Sequence, residues 1–260
     1  MTLASTPRQP RHPERDYGKL GRVGVLTPQA NPTVEAEFRT LLPEGVAMLA
    51  ARSTSRSKSP RQRLVDYIEQ LGQCLDTFDT LRPDVVAFAC TGSAYLVGRQ
   101  REHAILSTQS ERFGRPVISA TQAIHQSLQT RGVRRLAVYA PYPEFLLEAG
   151  LRYWQGLGYE VASHARIVTR TADTRTIYEL TSEVARESLR ALAPHDVDAV
   201  LLSGTGMPGL ALVLDHEDFT PCPVLSSNWC LAGAALNELG LALDADGVSA
   251  RLARARAAEG

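Results

Sequence analysis

Asp84-Val-Val-Ala-Phe-Ala-Cys-Thr-Gly-Ser93 is the stretch of sequence from which the fold can be inferred. Its apolar run does not alternate with polar residues, which is typical of a parallel strand buried on both faces. The strand is predicted to end at Cys90, where small polar residues lead into a helix. Open α/β sheets bind ligands at this end of their strands, beside helix N-termini that favour anions and thiolates. Cys90 is therefore a candidate catalytic residue, although a free cysteine is also a common core residue.

The same pattern occurs a second time. Asp198-Ala-Val-Leu-Leu-Ser-Gly-Thr-Gly206 matches the first stretch 114 residues later, with Gly204 at the position of Cys90. Two more pairs of segments repeat at similar distances: Arg22–Pro28 with Arg135–Pro141, and Arg115–Ser119 with Cys222–Ser226. A repeat of this length indicates a duplicated α/β unit.

We therefore expect an α/β protein made of two similar three-layer halves, each with a mainly parallel four-stranded sheet. Residues 21–132 form the first half and residues 133–260 the second, whose C-terminal helix could cross back to the first. Residues 1–20 lack hydrophobic periodicity, which predicts a disordered leader. A pseudo-two-fold axis would place the active site between the halves. Single long helices are predicted over residues 61–81, 94–113 and 176–192.

Composition excludes several classes of function. Lys plus Arg and Asp plus Glu both number 28, so no net charge would attract nucleic acid or an anionic membrane surface. The four cysteines have no CxxC spacing, and the histidines are not clustered in the sequence. Both observations argue against a metal site, and the cysteine pattern also argues against a disulfide framework. The chain has neither a signal-peptide pattern nor a membrane-spanning run. We expect a cytoplasmic protein with a small-molecule partner, and a homo-oligomer is compatible with these features.

Polar residues follow other predicted strand ends. Asn31 follows the first strand, where Asn before Pro is equally typical of a plain turn. Tyr142 has the corresponding position in the second half, where it is either a ligand or a packed ring. The polar loop over residues 52–60 is either a solvated connection or a lid over a carboxylate. The glycine-rich segment over residues 204–209 lacks the patterns that bind nucleotides.

Together, Pro28-x-x-Asn31, Cys90-Thr-Gly-Ser and Tyr142 resemble the aspartate/glutamate racemase superfamily, in particular its branch of maleate cis-trans isomerases and arylmalonate decarboxylases. The resemblance covers about residues 20–240. It implies a cofactor-independent enzyme that acts at the α-carbon of a small carboxylic acid, with Cys90 as its catalytic residue. The implied carboxylate or enediolate contacts are Asn31, Thr91, Gly92, Ser93, Tyr142, Gly204, Thr205 and Gly206. Further lid or second-loop contacts are Arg52, Ser53 and Thr174.

Three functions remain open. In that superfamily two cysteines typically face each other, whereas this chain has only Cys90 and places Gly204 opposite. A single proton donor suffices for decarboxylation of a malonate-type diacid, so this is the first hypothesis, with Cys90 as donor to an enediolate. The alternative is a maleate-type isomerase in which Cys90 adds covalently to the double bond. An alternative of another class is a non-catalytic carboxylate-binding protein.

Overall fold

The computed structural model describes residues 11–167, 171, 173–192, 196–218 and 220–259. The elements of the first half are β1 (Gly21–Pro28), α1 (Thr33–Leu41), β2 (Val46–Ser53), α2 (Pro60–Glu69), α3 (Leu71–Asp76), β3 (Val85–Phe88), α4 (Thr91–Val97), α5 (Arg99–Phe113), β4 (Val117–Ser119) and α6 (Ala120–Thr130). Those of the second half are β5 (Arg135–Ala140), α7 (Glu144–Gly156), β6 (Glu160–Arg166), a 3₁₀ helix (Thr174–Glu179), α8 (Ser182–Leu192), β7 (Ala199–Leu202), α9 (Leu210–Leu214), a short 3₁₀ helix (His216–Asp218), β8 (Val224–Ser226), α10 (Ser227–Glu238) and α11 (Ala245–Glu259).

Each half contains one four-stranded sheet. The strand orders are β2-β1-β3-β4 and β6-β5-β7-β8, and neighbouring strands within each sheet are all parallel. The register follows the internal repeat. Val23 pairs with Val85 in the first sheet, and the residues at the equivalent positions of the repeat, Leu136 and Ala199, pair in the second sheet. The predicted α/β fold with two similar halves is confirmed.

The aspartates that begin the two repeated stretches have the same structural role. The Oδ2 atom of Asp84 accepts a hydrogen bond of 2.8 Å from the backbone N–H of Arg22. The Oδ2 atom of Asp198 accepts hydrogen bonds of 2.8 Å from the backbone N–H groups of Arg134 and Arg135. Each aspartate thus ties the start of one central strand to the start of its neighbour. The internal repeat therefore preserves this hydrogen bond between an aspartate side chain and the backbone of the neighbouring strand.

The two halves share one apolar core. The larger hydrophobic cluster contains side chains from both sheets. Helix α10 follows β8 in the second half but also packs against β3, β4 and α6. Helix α11 lies against α1, where Arg251 Nε donates a 2.7 Å hydrogen bond to the carbonyl oxygen of Thr40. These contacts hold the strand ends of the halves in a fixed relation.

Part of the predicted leader is folded. The backbone N–H of His12 donates to the carbonyl oxygen of Lys19, and Arg15 Nη1 lies 3.2 Å from Asp84 Oδ2. The expectation of disorder is therefore wrong for residues 11–20, because this ion pair holds them against the start of β3. Residues 1–10 lie outside the described residues.

Each of the three predicted long helices is interrupted. The first divides into α2 and α3 at Gln70, and the second divides into α4 and α5 at Gly98, whose φ of 78° leaves the helical region. The third is a 3₁₀ helix that ends at Glu179, followed by α8 from Ser182. Apolar periodicity does not reveal such breaks, because both pieces still pack an apolar face. Within the described part of the chain, no helix is long and apolar enough to cross a membrane.

Candidate active site

The turns after the four central strands meet at one cavity between the halves. The turn after β1 contributes Asn31, the turn after β3 contributes Cys90, the turn after β5 contributes Tyr142 and the turn after β7 contributes Gly204. Most of the predicted site residues line this cavity: Asn31, Cys90, Thr91, Gly92, Tyr142, Thr174, Gly204, Thr205 and Gly206. Its volume is about 30 Å³, which is room for only a few water molecules.

Cys90 is held at the start of α4. Its backbone is extended, with φ −149° and ψ 96°, and the residue is 4 % exposed. Burial raises the pKa of the thiol, although the backbone N–H groups of Gly92 and Ser93 and the Ser93 side chain bond the sulfur and act in the opposite direction. The thiol therefore keeps its proton at neutral pH, while those donors are in place to stabilise a thiolate once it forms.

Ser93 hydrogen-bonds the Cys90 sulfur but does not line the cavity. Its Oγ atom lies 2.6 Å from the carbonyl oxygen of Leu64 and 3.1 Å from Cys90 Sγ, and the residue is fully buried. Because a hydroxyl has one proton, the Ser93 hydroxyl donates either to Leu64 or to the sulfur, and donation to the sulfur is the state that stabilises a thiolate. The expectation that Ser93 contacts the substrate carboxylate is corrected: it orients Cys90.

Buried hydroxyl and amide groups line the cavity together with the thiol. Tyr142 and Thr91 share a short hydrogen bond between their side-chain oxygens. Burial raises the pKa of Tyr142, so its hydroxyl is neutral and can donate. Asn31 Oδ1 accepts from the Thr33 backbone N–H at 3.0 Å, and Asn31 Nδ2 lies 3.3 Å from Thr205 Oγ1. Asn31 is thus both a turn residue and a wall of the cavity.

The glycines of the second half allow the opposite wall to lie close. Gly204 has a φ of 136°, and a Cβ atom built there would lie 3.4 Å from the Tyr142 hydroxyl oxygen. A Cβ atom on Gly206 would lie only 2.6 Å from a ring carbon of Tyr178. Thr205 Oγ1 donates to the carbonyl oxygen of Ala89 at 2.8 Å, which ties this loop to the end of β3. Among the described residues, this loop contributes no thiol to the cavity that Cys90 lines.

Arg52 and Ser53 lie outside this cavity. They line a separate cavity of about 210 Å³, which shares Tyr67 with the first. Arg52 Nη1 donates to the carbonyl oxygen of Asn31 at 2.7 Å, and the Arg52 guanidinium also pairs with Glu35. The expectation of a direct lid contact is therefore corrected, because the guanidinium is used to hold the turn that carries Asn31.

The second polar loop reaches the cavity at Thr174. Asp173, immediately before it, accepts from Arg63 Nη2 at 2.7 Å and from Arg175 Nη2 at 2.6 Å. These bonds, Arg175 foremost, hold the pKa of Asp173 at about 2. Asp173 therefore stays ionised and connects α2 of the first half to the second-half loop. Among the described residues, no group of three or more His, Cys, Asp or Glu side chains lies close enough together to hold a metal ion.

The amino-acid sequence of the chain matches a known family. The family model described as arylmalonate decarboxylase matches residues 23–252. The chain belongs to the arylmalonate decarboxylase family. It is an enzyme of the decarboxylase or cis-trans isomerase type, which confirms the predicted resemblance to this branch of the aspartate/glutamate racemase superfamily.

Curated relatives of this family member are named as maleate isomerases. The protein from Alcaligenes faecalis is 27 % identical over 236 residues, which cover 86 % of this chain and 92 % of that protein. The protein from Nocardia farcinica is 26 % identical over 232 residues, which cover 85 % of this chain and 91 % of that protein. The interpretation as a non-catalytic binding protein has no support from these relatives, because both are named as enzymes.

Solved structures show the same fold. The Nocardia farcinica maleate cis-trans isomerase, a cysteine-to-serine mutant with a covalently bound succinylcysteine intermediate, has a TM-score of 0.75 and 24 % identity, and the match covers 85 % of this chain and 93 % of that one. Unliganded arylmalonate decarboxylase has a TM-score of 0.66 and 20 % identity, with coverage of 85 % of this chain and 93 % of that one.

Several wall residues of this arylmalonate decarboxylase family member were not predicted from the sequence: Pro28, Leu64, Tyr67, Leu146, Arg175, Ile177 and Tyr178. Burial raises the pKa of Tyr67 to about 12 and raises that of Tyr178, so both phenols are neutral donors. The sequence carried one usable signal for them, since Arg175 is a basic residue in the second polar loop. The side chains from α2 and α7 gave no such signal, because their periodicity is that of ordinary core helices.

Proposed function

We propose that this enzyme catalyses cis-trans isomerisation of a small maleate-type dicarboxylate, with Cys90 as the nucleophile. The observation that carries the proposal is the placement of Cys90, whose sulfur lies at the start of α4 in a cavity walled by hydroxyl and amide donors. The maleate isomerase names of the curated relatives support the same reaction. The small cavity also favours a four-carbon diacid over an aryl diacid, which would require larger shifts of Leu64, Leu146 and Tyr178.

In the proposed reaction the sulfur forms a bond to one alkene carbon of maleate. The π electrons move to the other alkene carbon and its carboxylate, which becomes an enediolate, and a proton added to that carbon gives S-succinylcysteine. Rotation about the new single bond follows. Loss of the same proton and cleavage of the carbon–sulfur bond then release fumarate and restore the thiol. Neutral donors at the enediolate, such as Tyr142 and Thr91, lower the barrier because they meet charge that develops during the reaction.

Decarboxylation of a malonate-type diacid is the second candidate. It is favoured by a specific observation, namely that Cys90 shares its cavity with Gly204, which has no thiol, and that the buried Cys90 thiol is protonated at neutral pH. A protonated thiol on one face is suited to deliver one proton to an enediolate left by departing carbon dioxide. This reaction forms no bond between sulfur and carbon, which distinguishes it from isomerisation.

The proposal is tested by ¹H NMR in D₂O together with intact-protein mass spectrometry. With maleate, we expect fumarate to appear and a fraction of the protein to gain the mass of one maleic acid at Cys90. Cys90→Ser should abolish both signals, whereas Cys222→Ser, at a cysteine outside the cavity, should leave them unchanged. If maleate is inert while methylmalonate or phenylmalonate loses carbon dioxide and gains deuterium at the α-carbon, the isomerase proposal is wrong and the decarboxylase is correct.

A further inference from the structure

Arg175 is the only residue with a formal charge at neutral pH among the described residues that line the Cys90 cavity. It lies in the 3₁₀ helix of the second half. Its guanidinium is close enough to Tyr67 and Tyr178 to interact with them electrostatically, and both phenols interact in the same way with Cys90. Arg175 and Cys90 therefore line the same cavity and share two aromatic neighbours.

The charges around Arg175 leave a positive excess. Asp173 is shared between Arg63 and Arg175, so two guanidinium groups are balanced by one carboxylate. The Arg63 side chain is 3 % exposed and directs Nη2 to Asp173. Arg175 uses Nε and Nη2 for Asp173, and its Nη1 makes no hydrogen bond to the described residues. That leaves one edge of the Arg175 guanidinium available to an anion without breaking the pair with Asp173.

A dicarboxylate needs two recognition groups in this cavity. The hydroxyl and amide groups of Thr91, Tyr142 and Asn31 lie beside the thiol and suit the carboxylate next to the reacting carbon. We propose that Arg175 binds the second carboxylate and makes the enzyme selective for dicarboxylates over monocarboxylates. This inference rests on the proposed function, because it assigns the substrate class of the same site.

Binding of succinate and butyrate tests the inference by calorimetry. The two ligands have the same number of carbons, and butyrate has a methyl group where succinate has its second carboxylate. We expect Arg175→Gln to weaken succinate binding by about 10- to 100-fold, as for loss of a charge-assisted hydrogen bond. The same variant should change butyrate binding by less than about threefold, and Arg175→Lys should recover part of the succinate affinity.

Arg56→Gln is the matched control, because Arg56 is an exposed arginine on the first polar loop and lies outside the cavity. It should leave both affinities unchanged. The inference is overturned if Arg175→Gln leaves succinate binding intact or weakens both ligands equally. Because succinate has no double bond to react, its binding can be measured even if maleate is not turned over. A failure of the proposed reaction would therefore be seen separately from a failure of this inference.

Discussion

At the scale of single residues, Cys90 experiences two opposing influences on its ionisation. Burial disfavours the thiolate and dominates, while the N–H groups of Gly92 and Ser93 favour it. The same residue therefore suits a proton donor before substrate binds and a nucleophile after its proton is removed. Which role it performs can be read from the pH dependence of the reaction, because the two roles need opposite protonation states.

For maleate isomerisation, we expect kcat/KM to rise by about tenfold per pH unit between about pH 7 and 9. The attacking species is the thiolate, and the raised pKa of Cys90 leaves only a small ionised fraction over this range. Steady-state rates of wild type across this range give the profile, and Cys90→Ser should be inactive throughout. A profile that is flat and then falls above about pH 9 would instead assign Cys90 as a proton donor.

At the scale of elements, a buried carboxylate on α1 positions the second-half loop. Glu37 Oε1 accepts from the backbone N–H groups of Gly209 at 2.7 Å and Leu210 at 2.9 Å, and Oε2 accepts from Asn228 Nδ2 at 2.7 Å. Asn228 Nδ2 also donates to the carbonyl oxygen of Thr205 at 3.0 Å. Glu37 is therefore connected to the cavity wall through Asn228. Burial raises the pKa of Glu37, and the three donors partly offset that effect.

We expect Glu37→Gln to loosen this loop. The new amide nitrogen would face Asn228 Nδ2, and two donors cannot bond each other. Asn228 Oδ1 has no partner among the described residues. Asn228 can accept from the new amide only if its side-chain amide rotates to bring Oδ1 toward residue 37. Thr205 would then lose its donor. Unfolding should become easier by about 1–3 kcal/mol and kcat/KM should fall by roughly tenfold. Thermal unfolding and steady-state kinetics test this against Glu44→Gln, an exposed control. Unchanged values for Glu37→Gln would contradict the positioning role.

The strand ends of the site could be predicted from the sequence, whereas other walls could not. Asn31, Cys90, Tyr142 and Gly204 follow strands whose apolar runs and repeat are local features, and parallel strands bring their ends together. Tyr67 lines the cavity from α2, whose apolar periodicity is that of an ordinary core helix. The direction in which a side chain points could not be predicted from the sequence either. Ser93 hydrogen-bonds the Cys90 sulfur, and Arg52 hydrogen-bonds the carbonyl oxygen of Asn31.

At the scale of the whole molecule, the two halves are alike in topology but differ at the residues that would face each other. Cys90 has an extended backbone with φ −149°, whereas Gly204 has φ 136°, a conformation that side chains rarely adopt. The backbone N–H of Gly204 is also fixed, because it donates to Ser227 Oγ at 3.0 Å. The asymmetry therefore involves the backbone as well as the missing thiol. Among the described residues that line the cavity, Cys90 is therefore the one thiol.

Gly204→Cys tests this asymmetry. We expect a loss of about 1–3 kcal/mol of unfolding free energy, because any side chain is strained at this φ, and Gly204→Ala should lose a similar amount. The added side chain would lie near the Tyr142 hydroxyl, in the cavity that Cys90 also lines. If the two thiols act on opposite faces of the substrate they permit racemisation, so only the cysteine variant should racemise chiral 2-methylsuccinate, with deuterium entering at the α-carbon in D₂O. Chemical denaturation and NMR in D₂O measure the two effects. Wild-type stability in both variants would show that the backbone relaxes, and would refute the strain argument.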